Sequence, residues 1–147
     1  MKIPRLFAAA FVALLFSASH VKAAEPEEHF LLTPALLAKL KAAGPELKKL
    51  DKKDEEDDGK DNLSVDDYVR AIEKEPRAKA ILAKHGLAPR EFALMTFAMV
   101  HAGMFVGLEP AMNKKQAADM LSSFTKEQRA NVALLRKTDM SGFMFDK

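Results

Sequence analysis

Residues 92–108 read FALMTFAMVHAGMFVGL, and this stretch decides the fold. Its seventeen residues include no formal charge, and His101 is its only ionisable side chain. Pro89 suits the first turn of a helix, so we predict a central helix over 89–106. Ten side chains in the stretch are large and apolar: Phe92, Leu94, Met95, Phe97, Met99, Val100, Met104, Phe105, Val106 and Leu108. Burying them contributes roughly 15–30 kcal/mol at about 1.5–3 kcal/mol each, so this helix must be covered.

The apolar surface of the central helix can be shielded from water in three ways. Its apolar side chains can be buried against other helices of the chain, inserted into a membrane, or buried against a protein partner or a second copy. Seventeen residues lie at the lower limit of a membrane span, which needs about 20. Val65, Tyr68, Val69 and Ile72 recur at helical spacing and form an apolar stripe that also needs something to face. This stripe favours a bundle, and membrane contact is not expected.

Capping signals divide the rest of the chain into helices. Helix starts are predicted at Thr33-Pro34, at the capping-box pair Ser64 and Asp67, and at a second such pair, Thr125 and Gln128. Further helices are predicted at 113–123 and 126–137. Strand alternation is not evident. The fold class is therefore all-α, a small irregular helical bundle around one buried central helix.

Glycine and proline predict where helices are interrupted. Gly44-Pro45 is predicted to break the first helix, because proline lacks the N–H that a helix interior needs. Pro76 is predicted to separate two helices, and His85-Gly86 to end the second of them with glycine at the residue after the cap.

The first 23 residues have the pattern of a cleaved signal peptide. Lys2 and Arg5 precede an apolar run of eleven residues at 6–16, and Val21 and Ala23 suit cleavage before residue 24. The run is shorter than the ~20 residues that a membrane span requires. We predict export to the periplasm or secretion, with 24–147 as a single helical domain.

Cleavage would reverse the sign of the net charge. The whole chain carries +2, but residues 1–23 hold three cations and no acid, so the mature chain carries −1. A nearly neutral chain lacks the cationic excess that nucleic-acid binding requires. The chain has no cysteine, which excludes disulfides, thiol nucleophiles and thiolate metal sites.

The acidic segment 51–62 is predicted to be a disordered, solvated linker, because it contains no apolar residue. Residues 56–67 can be aligned with a 12-residue calcium loop, which makes Asp57, Asp58 and Asp61 metal candidates. In that alignment Lys60 takes a ligand position and Asp61 takes the position that requires glycine, so the alignment is poor.

Met95, Met99, His101 and Met104 suggest copper, because thioether and imidazole groups suit Cu(I). A single helix cannot direct all four at one ion, since Met104 lies about 180° from Met95 at about 100° per residue. We therefore expect core packing by methionine and a neutral, hydrogen-bonded His101. A pH-sensing or ligand-contacting role for His101 is the alternative. No catalytic motif is evident, so neither an enzyme nor a cofactor is expected.

The segment Gly86-Leu87-Ala88-Pro89-Arg90-Glu91-Phe92 resembles a Gly-Leu-x-Pro-Arg-Glu-(Tyr/Phe) motif. This motif is found in a family of small exported helical proteins of Gram-negative bacteria, to which the similarity extends over about 30–137. In that family serine or threonine is usual where this chain has Ala88, which weakens the cap before Pro89. The resemblance implies export and a helical fold, and it implies no activity.

These observations together predict a non-enzymatic binding or interaction protein of the cell envelope, with a protein partner or a second copy as its ligand. The alternative is a protein that binds a metal or small ligand through the acidic loop or the Met/His helix. Arg90 and His101 are the candidate contact residues. Arg90 is expected to pair with an acid on another helix.

Overall fold

The computed structural model describes residues 26–51, 64–141 and 143. These residues form six α-helices and no strand, which confirms the all-α fold class. The elements are a 3-10 turn at Pro26–His29, α1 Pro34–Asp51, α2 Val65–Glu73, α3 Pro76–Lys84, α4 Pro89–Leu108, a second 3-10 turn at Glu109–Ala111, α5 Lys114–Ser123 and α6 Lys126–Leu135. The predicted signal peptide 1–23, and all of the predicted linker 51–62 except Asp51, lie outside the described residues.

Helix α4 is the centre of the bundle, as predicted, and ends two residues later than expected. Helices α2, α3 and α6 and the first 3-10 turn contact it. The Tyr68 ring of α2 stacks on Phe92 at 6.1 Å and meets the edge of Phe97 at 6.0 Å. Pro89–Ala111 is long and apolar enough to cross a membrane, but 56% of its most apolar window is buried inside the protein. Six of the ten large apolar side chains are buried: Phe92, Met95, Phe97, Met99, Val100 and Phe105.

Both predicted capping boxes form. Ser64 and Asp67 cap each other at the start of α2, and Thr125 and Gln128 do so at the start of α6. A third box at the start of α5 joins Asn113 and Gln116. The predicted end of α3 is also confirmed, because Gly86 has a φ of +66°, the left-handed conformation that glycine adopts without strain.

The predicted break at Gly44-Pro45 is wrong, because α1 runs through Pro45 without interruption. Proline inside a helix costs about 3 kcal/mol. Leu40, Leu47 and Leu50 lie on the face of α1 that is buried in the core, and each contributes about 1.5–3 kcal/mol. Packing therefore outweighs the local cost. Gly44 helps, since it lacks the Cβ that would clash with the proline ring.

Candidate functional site

In the part of the chain that the structure describes, no predicted metal site comes together. Asp57, Asp58 and Asp61 lie outside the described residues. Within 26–51, 64–141 and 143, no group of three His, Cys, Asp or Glu side chains is placed to hold an ion. The candidate copper ligands also separate: Met95 is fully buried in the core, Met99 lines an apolar groove, and His101 packs on Phe124.

Arg90 forms the predicted ion pair with an acid on another helix. Its Nη1 donates to Oδ1 of Asp66 at 2.8 Å, which joins the start of α4 to the first turn of α2. The Arg90 and Asp66 side chains are 56% and 62% exposed. An exposed pair of this kind contributes about 0.2–1 kcal/mol, so Arg90 stabilises a helix junction slightly.

His101 lies on the opposite side of α4 from the apolar groove, in an aromatic cluster. Its ring centre is 4.5 Å from that of Phe124, which in turn meets the edge of Phe105 at 5.5 Å. Burial lowers the pKa of His101, and the Glu28 carboxylate opposes this shift. We expected a hydrogen-bonded imidazole, but Nδ1 of His101 is buried and has no hydrogen-bond partner among the described residues.

A buried amide on α6, that of Asn131, holds the N-terminal segment. Asn131 Oδ1 accepts from the backbone N–H of Leu32, and Nδ2 donates to the carbonyl of Phe30, both at 2.8 Å. Thr125 Oγ1 also donates to the carbonyl of Glu28 at 2.6 Å. The sequence did contain a signal for these hydrogen bonds. Asn131 lies within the helical segment 126–137, and a polar residue at a core position of a helix needs hydrogen-bond partners.

A groove of about 250 Å³ opens between α4, α6 and the segment that follows α6. It is lined entirely by apolar residues: Met99, Val100, Gly103, Val106, Gly107, Leu135 and Met140. Gly103 and Gly107 are one turn apart, and the space where their Cβ atoms would lie is open, with no atom within 4 Å. The two glycines therefore create much of the groove by lacking side chains. We call it the glycine groove.

Beside the glycine groove, the same helix presents a ridge. Met104 and Leu108 follow Gly103 and Gly107 by one residue, so their row lies about 100° around the helix from the glycine row. Leu108 is 49% exposed, Met104 is partly exposed, and Ala111 continues this face into the second 3-10 turn. We call Met104 and Leu108 the α4 ridge. The C-terminal half of α4 thus carries an apolar face, without a formal charge, that the other described residues leave partly uncovered.

At one border of this face, opposite charges neutralise each other. Glu109, at the end of α4, accepts two hydrogen bonds from the guanidinium of Arg136 at the end of α6. Helix α5, which follows the second 3-10 turn, has no buried residue. The groove offers apolar contact area, and its seven lining residues have apolar side chains or, for glycine, none.

In comparisons with known proteins, no family model, no curated protein and no solved structure matches this chain.

Proposed function

We propose that this chain is an exported, non-enzymatic interaction protein of the cell envelope, which binds another protein through the uncovered face of α4. One observation carries the proposal. The glycine groove and the partly exposed α4 ridge, whose rows are about 100° apart around the helix, both lie on the C-terminal half of α4, and the N-terminal half is largely buried. Apolar side chains left exposed near an apolar groove favour an interaction site, because their exposure to water is costly.

The dimensions of the groove fit a protein side chain. An apolar cavity of about 150 Å³ accommodates benzene, so a groove of this volume can receive one or two apolar side chains. Sites for small metabolites usually add a few convergent polar groups that fix the orientation of the ligand. The seven lining residues supply no hydroxyl, amide or charged side chain. A protein partner fits this lining better than a polar metabolite does.

Export is supported by the pattern of residues 1–23 and by the resemblance to small exported proteins. Its test is expression of the full chain in a Gram-negative host, followed by fractionation and mass measurement. We expect a periplasmic product that begins at Ala24. Leu14→Arg, which puts a charge in the apolar run, should leave the uncleaved chain in the cytoplasm, whereas Val12→Leu should be exported normally. Uncleaved wild-type protein in the cytoplasm would overturn this part of the proposal.

The binding face is tested by methyl NMR of the mature protein with ¹³C-labelled methionine. Met99 and Met140 line the groove and Met104 forms the ridge, while Met95 is a buried control and Met120 an exposed one. Benzyl alcohol, as the smallest aromatic probe, should shift the signals of Met99, Met104 and Met140 and leave the two controls in place. Equal shifts at all five positions would count against a specific face.

The same labelled sample separates binding of a protein partner from binding of metal. Adding Cu⁺ or Ca²⁺ should leave the methionine spectrum unchanged if the face serves apolar contact alone. A shift of Met95, Met99 or Met104 at one equivalent of Cu⁺ would instead favour the Met/His helix as a metal site.

A further inference from the structure

We infer that the segment 112–124, which contains α5, is an acid-sensitive flap that stays closed while His101 is neutral and opens when His101 is protonated. We call this segment the flap. It ends at Phe124, whose ring packs on His101. His101 lies on the other side of α4 from the glycine groove, so the flap is separate from the proposed binding face.

Helix α5 is held weakly between two fixed ends. Its ten residues include no buried one, and only Ala117 and Leu121 pack partly against the core. Before α5, the pair of Glu109 and Arg136 fixes the end of α4. After it, the hydroxyl of Thr125 binds the first 3-10 turn and fixes the start of α6. A segment that buries little apolar area opens at a small cost, while its fixed ends keep the rest of the bundle in place.

The contact that closes the flap is made by Phe124. The centre of its ring lies 4.5 Å from that of His101 and 5.5 Å from that of Phe105. Arg129 also donates a hydrogen bond to the carbonyl of Phe124, but this bond is exposed, so the Arg129 side chain can follow the flap. Phe105 is buried when the flap is closed. Opening therefore removes Phe124 from Phe105 and exposes apolar surface at mildly acidic pH.

The closed flap disfavours a second proton on His101. A neutral imidazole carries one N–H, and its other nitrogen is an acceptor, whereas an imidazolium carries an N–H at both nitrogens. Nδ1 of His101 is buried and has no hydrogen-bond partner among the described residues. Protonation would therefore leave a charged ring with a buried N–H that lacks an acceptor, which costs more than an unpaired neutral group does. Opening removes this cost, because it exposes the ring to water.

The helices around His101 do not supply an anion for its protonated form among the described residues. Residues 92–108 of α4 carry no formal charge. On α5, Lys115 and Asp119 pair with each other at 2.7 Å. On α6, Arg129 binds the carbonyl of Phe124 and Arg136 lies over the ring of Phe105, so both bring a positive charge to the aromatic cluster. A third cation at His101 is therefore unfavourable from this side.

The first 3-10 turn contributes the opposing charge. Its acids are Glu27 and Glu28, and the charge of Glu28 raises the pKa of His101. His29 of the same turn is bound to Glu127 of α6 at 3.3 Å. Burial is the larger influence on His101 and lowers its pKa. On balance the closed flap thus favours neutral His101.

The closing experiment is amide hydrogen exchange of the mature protein at pH 7.5 and pH 5.5, with each rate divided by the intrinsic rate of an unfolded peptide at the same pH. Exposing a histidine with an ordinary pKa of 6.5 can raise the opening constant by at most about tenfold over this interval. We expect the protection of amides 117–124 to fall by about three- to tenfold in the wild type. In His101→Phe, which keeps a ring beside Phe124 and cannot titrate, it should stay constant. Amides of α2 that exchange by local opening are the internal reference and should also stay constant.

Urea separates opening of the flap from unfolding of the whole chain. Local opening exposes little surface, so exchange in the flap should barely change in dilute urea, whereas the amides of Leu40 and Phe97 in the core should exchange faster. An equal urea dependence in the flap and the core would overturn the inference. So would a wild-type flap that is equally protected at both pH values, or an equal fall of protection in His101→Phe.

Phe124→Ala tests the closing contact without changing His101. The variant removes the ring that packs on His101 and Phe105, so we expect the protection of the flap at pH 7.5 to fall by at least about fivefold. Met120→Ala is the matched control, because Met120 is exposed on the same helix, and it should leave the protection unchanged. Equal protection of the flap in the two variants would overturn the inference.

Discussion

The side-chain oxygen of Asn131 accepts a hydrogen bond from the backbone N–H of Leu32 at 2.8 Å, although the two residues are 99 positions apart. The amide nitrogen of Asn131 donates to the carbonyl of Phe30 at the same distance. Asn131 and Leu32 are both buried, so water cannot replace these bonds. One side chain thus satisfies two backbone groups of the N-terminal segment and fixes it to α6.

Replacing Asn131 should therefore be costly. Asn131→Leu leaves a buried N–H and a carbonyl without partners, at about 1–3 kcal/mol for each. We expect the free energy of unfolding to fall by roughly 2–4 kcal/mol, measured by urea denaturation with circular dichroism. Asn113→Ala is the control, since Asn113 is an exposed cap of α5 whose loss should cost only about 1 kcal/mol. Equal losses for the two variants would contradict a structural role for the buried amide.

His101 should make stability depend on pH. Burial holds the pKa of folded His101 below its ordinary value of 6.5, so the unfolded chain binds more protons in the interval between the two values. Stability is then fully present above pH 6.5 and falls as pH decreases, until folded His101 is protonated too.

His101→Phe should weaken this dependence, because phenylalanine keeps the ring contact with Phe124 and cannot titrate. Urea midpoints between pH 5 and 8 measure the effect. His29→Gln is the control, since His29 is exposed and lies beside Glu127. If the wild type and His101→Phe gave the same pH profile, His101 would not be its source.

Helix α4 begins without a side-chain cap, so a capping residue should increase the stability of the protein. Ala88 occupies the cap position with extended backbone, and Glu91 lies three residues later. Ala88→Ser should complete a capping box with Glu91 and raise the free energy of unfolding by about 1 kcal/mol. Ala83→Ser, at an exposed position inside α3, should instead be neutral or slightly destabilising in the same urea assay. A gain at position 83 as large as that at position 88 would argue against the cap.

Pro45 lies inside α1 and destabilises it, so replacing Pro45 should raise the free energy of unfolding. Proline cannot donate to the carbonyl of Lys41, and alanine restores that bond in the interior of α1. Because alanine also makes the unfolded chain more flexible, we expect Pro45→Ala to gain only about 1–2 kcal/mol. Pro34→Ala, at the first position of the same helix, should gain nothing, since proline is suited to that position. Thermal melting of both variants checks the difference.

Features that depend on neighbouring residues were predicted well from the sequence. The uncharged stretch 92–108 required a covered helix, and the spacing of Ser64 with Asp67 and of Thr125 with Gln128 placed two helix starts correctly. The pairing of Arg90 with an acid was also foreseen, although the sequence did not identify Asp66.

Features that depend on distant residues were missed. The expectation that Pro45 ends the first helix failed. The burial of Leu47 and Leu50 stabilises the helix by more than proline destabilises it, and a local sequence pattern does not measure burial. The bond between Asn131 and Leu32 joins segments that no local pattern connects. The sequence also could not show which side of α4 the other helices leave open. The glycine groove became visible only when the packing of α6 was known.

The contacts between residues 28–32 and 125–131 also set the order of events during synthesis. Loops of this length close slowly, because many conformations must be lost before the contact forms. The N-terminal segment cannot take its place until residue 131 has been made and is free of the ribosome. Residues 28–32 therefore stay undocked while most of the chain is being made.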